Sequence, residues 1–184
     1  MTRRTQLRAH LAAAGLLLLL TLIVGHRLAF SGWIMARGDT YSYHYPYWDA
    51  RAVALRGGQL PLWTPELFAG VPLLANPQTA VLYPPNLLLI GFDAPDAVRI
   101  SALLHLWWAG LGGYALARRA LGVGWLAGCI GGAAFLLGGH LGAHVEQINQ
   151  LHGLSWMPWA VWALMIALTG RGVHGLIGSG LLAA

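Results

Sequence analysis

Arg37-Gly38-Asp39-Thr40-Tyr41-Ser42-Tyr43-His44-Tyr45-Pro46-Tyr47-Trp48-Asp49 opens a polar, aromatic and proline-rich stretch that runs to Pro85. It continues through Gly57-Gly58-Gln59-Leu60-Pro61-Leu62-Trp63-Thr64-Pro65-Glu66, then Val71-Pro72-Leu73-Leu74-Ala75-Asn76-Pro77-Gln78, then Leu82-Tyr83-Pro84-Pro85-Asn86. Apolar runs of bilayer-spanning length flank it on both sides, so the stretch reads as a loop of a membrane protein. A passive connector has no use for so many rigid and aromatic residues. Extended to Asp96, the loop also holds most of the chain's six acids.

Composition agrees. Of 184 residues, 57% are hydrophobic and only 9% charged, against about 25% charged in a soluble domain. All eleven basic residues are arginine, and the net charge is +5. In a soluble protein that balance would suggest nucleic acid as a partner. Here the arginines are dispersed or sit at the ends of apolar runs, which marks them as topology signals and excludes a nucleic-acid partner. The single cysteine, Cys129, lies inside an apolar run and reads as a small packed residue.

The predicted fold is all-α: a polytopic transmembrane helical bundle with short amphipathic helices in a long first extracytoplasmic loop. Residues 1–8 form a cytoplasmic N-terminus, with Arg3, Arg4 and Arg8 held inside by the positive-inside tendency. The first span covers 9–30 and reads as a retained anchor, because its exit is a poor cleavage site and more spans follow. The outer loop covers 31–97. The second span covers 98–117 and ends at Arg118-Arg119. The third covers 123–144, a second outer loop 145–153, and the fourth span 154–169. A fifth span begins at 173–184, after Arg171. The apolar start of that run reads as the N-terminal piece of a longer protein.

Local patterns add detail. Gly124, Gly128 and Gly132 recur at four-residue spacing, which puts three glycines on one helix face for close packing. Thr64-Pro65-Glu66 is a helix-start pattern. Ala50 to Arg56 forms a short helix ended by Gly57-Gly58. Leu82 to Phe92 is too short to span and lies along the interface.

Asp39 and Glu146 are the first candidates for chemistry. Asp39 follows Gly38 soon after the first span; Glu146 is the acid of the second outer loop. The topology puts both on one side, where two carboxylates can hold a cation or divide acid and base roles. The competing reading of each is a solvated acid or a helix cap. A divalent metal ion is the cofactor such acids suit. His144 could join them, and His140 and His144 share a helix face; polar lining of the interface is the plainer account of that pair. His105 reads as a packed or hydrogen-bonded histidine. Tyr41, Tyr43, Tyr45 and Tyr47 alternate, which places them on one side of an extended segment. Such rings can stack on sugars, and they also suit a membrane-interface belt. No phosphate-binding glycine loop, dinucleotide fingerprint or nucleophile elbow is present.

The ordered motifs Gly38-Asp39, Arg56-Gly57-Gly58-Gln59-Leu60-Pro61-Leu62-Trp63-Thr64-Pro65, Gly70-Val71-Pro72-Leu73-Leu74-Ala75-Asn76-Pro77-Gln78 and Tyr83-Pro84-Pro85-Asn86 carry a resemblance. The chain resembles, over about residues 10–170, the N-terminal region of bacterial YfhO-type membrane proteins, relatives of the GT-C glycosyltransferases. The resemblance implies a multi-pass protein of the bacterial inner membrane that moves a sugar from a polyprenyl-phosphate donor to a cell-envelope glycan or polymer acceptor on the outer face. Asp39 would be the catalytic base or a metal ligand, with Glu146 matching the second acid by topology. Arg37 or Arg56 would hold the donor phosphate. Tyr41, Tyr43, His44, Asn76 and Gln78 would line the sugar site. The rival expectation is a non-enzymatic transporter, flippase or envelope-assembly partner.

Overall fold

A computed structural model describes residues 3–168. Its elements are α1 (Arg3–Val24), α2 (His26–Phe30), α3 (Tyr45–Arg56), β1 (Trp63–Thr64), β2 (Val71–Pro72), α4 (Pro84–Leu87), α5 (Ala94–Ala120), α6 (Trp125–Leu136), α7 (Gly139–Ala143) and α8 (Ile148–Leu168). Among the described residues, four helices are long and apolar enough to cross a membrane: α1, α5, the run Trp125–Ala143 that joins α6 and α7, and α8. The expected fifth span at 173–184 and Arg171 lie outside the described residues.

α5 is the centre of the bundle. Half of its apolar stretch is buried, against 17% for α1. Asp93 caps it by accepting from the Asp96 amide at 3.0 Å, and Arg118 and Arg119 close its last turn, where cations suit the helix dipole. α1 runs antiparallel to it: His10 bonds Tyr114 at 2.8 Å, Trp107 Nε1 donates to Ala14 at 3.0 Å, and Arg99 donates to Leu28 at 3.0 Å. α8 runs parallel to it: Ser101 meets His152 at 2.9 Å, and Trp159 Nε1 donates to the Trp108 carbonyl at 3.1 Å. These contacts place the 31–93 segment and the 137–147 segment at one end of the bundle.

α6 packs antiparallel on α5 through glycine. A Cβ built on Gly132 would lie 2.7 Å from the Gly110 carbonyl, and one on Gly112 would lie 2.7 Å from Pro158 of α8. Only glycine lets both neighbours approach α5 this closely. Gly128 also faces α5, whereas Gly124 is the N-cap of α6 and meets nothing within 4 Å. The expected three-glycine face is therefore a two-glycine face. Cys129 packs beside Ala13, Leu17 and Tyr114.

Four local readings change. The tyrosines are helical: Thr40–His44 is one π-helical turn that runs into α3, with Pro46 in the first turn of that helix. Tyr43 and Tyr47 stack at 4.3 Å, and Tyr41 and Tyr45 meet edge-on at 6.4 Å. Four-residue spacing pairs these rings; period-two alternation does not apply. Thr64 starts no helix. It pairs with Val71 in a two-stranded hairpin, and the positive φ of Phe68, Ala69 and Gly70 turns the chain there. α3 starts at Tyr45 rather than Ala50 and ends at Gly57 as expected. Finally, α8 begins at Ile148, so most of the expected 145–153 loop is helix.

Candidate functional site

The two acid-bearing segments meet. Thr40 is fully buried, and its Oγ1 donates to the Glu146 backbone carbonyl at 2.5 Å. Asp39, one residue earlier, is exposed at the head of the π-helical turn, and Glu146 is partly exposed. His44 and Tyr45, which follow at the end of that turn, are both buried. Burial holds His44 below the usual imidazole range and Arg51 pushes it the same way, while the Asp39 carboxylate opposes them. Burial raises the Tyr45 hydroxyl and the charge of Glu146 raises it further, against the effect of its bond to Met35. Asp39 thus acts on His44 and Glu146 on Tyr45, two adjacent buried residues.

The other expected site residues divide. Tyr43 stacks on Tyr47, meets His44 edge-on at 5.5 Å and accepts from Asn76 Nδ2 at 2.5 Å. Asn76 Oδ1 accepts from the Gln78 amide at 3.0 Å, so Asn76 shapes its own turn, and Gln78 is exposed beside it. Tyr41 lines a separate hollow of about 550 Å³ with Asp49 and Asp93. Arg37 is exposed ahead of the π-helical turn. Arg56 is exposed at the far end of the 12-residue α3, about 18 Å along the axis from His44 at 1.5 Å per residue. It does not join the group. His144 Nδ1 donates to the His140 carbonyl at 2.7 Å, which occupies that nitrogen. Among the described residues no three His, Cys, Asp or Glu side chains stand close enough to hold a metal ion together, so Asp39, Glu146 and His144 form no such cluster.

His105 is buried and hydrogen-bonded, as its sequence reading has it, but the polar cluster around it escaped that reading. Trp156 Nε1 donates to the Tyr83 hydroxyl at 2.7 Å. His105 Nδ1 lies 2.7 Å from the Ser101 carbonyl, which can only accept, so Nδ1 carries the proton. Nε2 is then the acceptor, and Tyr83 donates to it at 2.7 Å. The His105 and His152 rings lie 4.0 Å apart. Arg51 backs the cluster: its guanidinium covers the Trp48 ring at 3.8 Å and donates to the Thr79 and Ala80 carbonyls. Burial lowers Arg51 to about 10, still far above neutral pH. It is a brace for the 73–83 turns, spent on carbonyls.

Two hollows meet at Tyr83. One, of about 240 Å³, is apolar and lined by Leu104, Trp107, Trp108 and Trp156. The other, of about 350 Å³, is lined by Asn76, Asn149 and His152 among aliphatic neighbours. Tyr83 was visible in the Tyr83-Pro84-Pro85-Asn86 motif and His152 in the polar run before the fourth span. Their pairing needed the parallel α5 and α8.

Comparison with family models, with curated proteins and with solved structures gives no match for this chain.

Proposed function

We propose that the chain is part of a GT-C-like, YfhO-type membrane glycosyltransferase of the bacterial inner membrane. It moves a sugar from a polyprenyl-phosphate donor to a cell-envelope acceptor at the bundle end that carries both loops. The observation that carries this reading is the bond from Thr40 to the Glu146 carbonyl, which draws the Asp39 and Glu146 segments together. An acceptor hydroxyl attacks the anomeric carbon, the bond from that carbon to the phosphate oxygen breaks, and polyprenyl phosphate leaves. Asp39 takes the hydroxyl proton. Arg37, exposed and close in sequence, is the better placed of the two expected arginines to meet the phosphate. The tryptophan-lined hollow beside Tyr83 suits an isoprenoid chain.

A transporter reading draws on one observation, the buried His105 and His152 pair within the bundle. One experiment separates the two. The full-length protein in proteoliposomes is given labelled polyprenyl-phosphate sugar and an envelope glycan. Label bound covalently to the glycan supports transfer; label that only crosses the bilayer supports transport and overturns the enzyme reading.

A further inference from the structure

We infer that the end of the bundle opposite the two loops is a docking surface for the headgroup of an anionic phospholipid, held by Arg3 of α1 and Arg119 of α5 with Arg4 and Arg8 beside them. The surface lies away from both acids and does not rest on the transfer reaction.

Charge is segregated along the bundle. The chain's six acids are Asp39, Asp49, Glu66, Asp93, Asp96 and Glu146. All belong to the loop end: the first long loop, the start of α5 or the segment before α8. The opposite end carries Arg3, Arg4, Arg8, Arg118 and Arg119 with no acid beside them. Packing fixes where these arginines stand. His10 bonds Tyr114 at 2.8 Å, and Trp125 Nε1 donates to the Ala9 carbonyl at 2.7 Å, so the start of α1 is pinned to the end of α5 and the start of α6. Arg3 lies two turns before His10 on the same helix face, and Arg119 lies five residues beyond Tyr114. At 1.5 Å per residue these are about 10 and about 8 Å along the axis in one direction. The charges of Arg119 and Arg118 both reach the His10 ring.

Arg118 is already committed. Its stem lies against Gly128, where an added Cβ would come within 2.6 Å of its Cγ, and its Nη1 donates to the Val123 carbonyl at 2.5 Å. Arg3, Arg4, Arg8 and Arg119 are exposed, and among the described residues their side chains make no ion pair or hydrogen bond. Several guanidinium groups without a counter-charge call for an anion, and their forked N–H groups fit phosphate oxygens. The surroundings say which anion. Leu7 and Leu11 of α1 and Leu126 of α6, beside these arginines, are each more than half exposed. Free phosphate or an acidic peptide would meet the arginines and leave those leucines bare. A phospholipid presents a phosphodiester and apolar chains together, and basic residues between membrane helices suit such headgroups.

The test incubates the full-length protein in detergent with phosphatidylglycerol, or with phosphatidylcholine of the same acyl chains, and counts retained lipid by native mass spectrometry. Phosphatidylglycerol should be retained saturably and about tenfold more tightly than phosphatidylcholine. Replacing both arginines, Arg3→Gln with Arg119→Gln, should weaken its binding about tenfold. Should that double variant fail to fold, Arg119→Gln alone carries the same test with a loss of about threefold. Arg27→Gln removes the same charge at the loop end and should bind as wild type does, which separates this surface from net charge. Inorganic phosphate should not displace the lipid. Equal retention of the two lipids, an equal loss in Arg27→Gln, displacement by phosphate, or wild-type affinity in the folded Arg119 variants overturns the proposal.

Discussion

Thr40 Oγ1 donates to the backbone carbonyl of Glu146 at 2.5 Å, a side-chain bond that ties the first long loop to the segment just before α8. Thr40 is fully buried, so its hydroxyl has no water to fall back on. Thr40→Val keeps the shape and removes the donor. The variant should lose about 1–3 kcal/mol of stability, read as a lower Tm in detergent, with faster amide exchange over 139–147. Thr40→Ser should restore most of it. A Thr40→Val protein that melts with the wild type contradicts the link.

Arg51 is the brace of the turns that carry Asn76 and Tyr83. Arg51→Met fills much of the same space but leaves the Thr79 and Ala80 carbonyls without their donor and removes the cation from the Trp48 face. Stability should fall by about 2 kcal/mol or more. Arg51→Lys should rescue only part of the loss, because an ammonium lacks the planar guanidinium that covers the Trp48 ring. Unfolding curves of the three proteins decide the point.

His44 predicts a pH dependence with a definite sign. Burial lowers its folded pKa below the unfolded value of 6.5. Its stability contribution is therefore complete above 6.5 and is lost as pH falls through the folded pKa. Melting temperatures measured from pH 7.5 down to about 4.5 should drop more for wild type than for His44→Gln. Parallel pH profiles for the two proteins would remove His44 from the account.

Glycine at the α5 and α6 contact is a packing requirement. Gly132→Ala drives a methyl to 2.7 Å from the Gly110 carbonyl and should cost about 1–3 kcal/mol. Gly15→Ala in α1, where a Cβ meets nothing within 4 Å, should be neutral or stabilising by about 0.5–1 kcal/mol. Equal melting temperatures in the two variants would contradict this packing.

The long helices were legible because an apolar run of bilayer length has few other readings. Their ends were less so: nothing in Ile148 to Gly153 breaks a helix, and polarity alone marked it as loop. The tyrosine run failed because alternation along a short segment also satisfies four-residue spacing, and Pro46 in a first helical turn was the cue that separates the two. Thr64 failed because its partner Val71 is set by the turn at Phe68, Ala69 and Gly70, whose backbone conformation the sequence does not announce. Within the candidate site, Asp39 and Glu146 came from topology, which fixes only the end of the bundle. Tyr83, His105 and His152 came together through the parallel register of α5 and α8, and single-sequence patterns carry no register between helices so far apart.

The central claim is that Asp39 takes the proton of an acceptor hydroxyl during sugar transfer. The most direct test follows labelled sugar from a polyprenyl-phosphate donor onto envelope glycan in membranes holding the full-length protein, wild type against Asp39→Asn at matched expression. The account predicts a fall of about hundredfold or more in transfer with donor binding retained. Undiminished transfer by a normally expressed Asp39→Asn protein contradicts it.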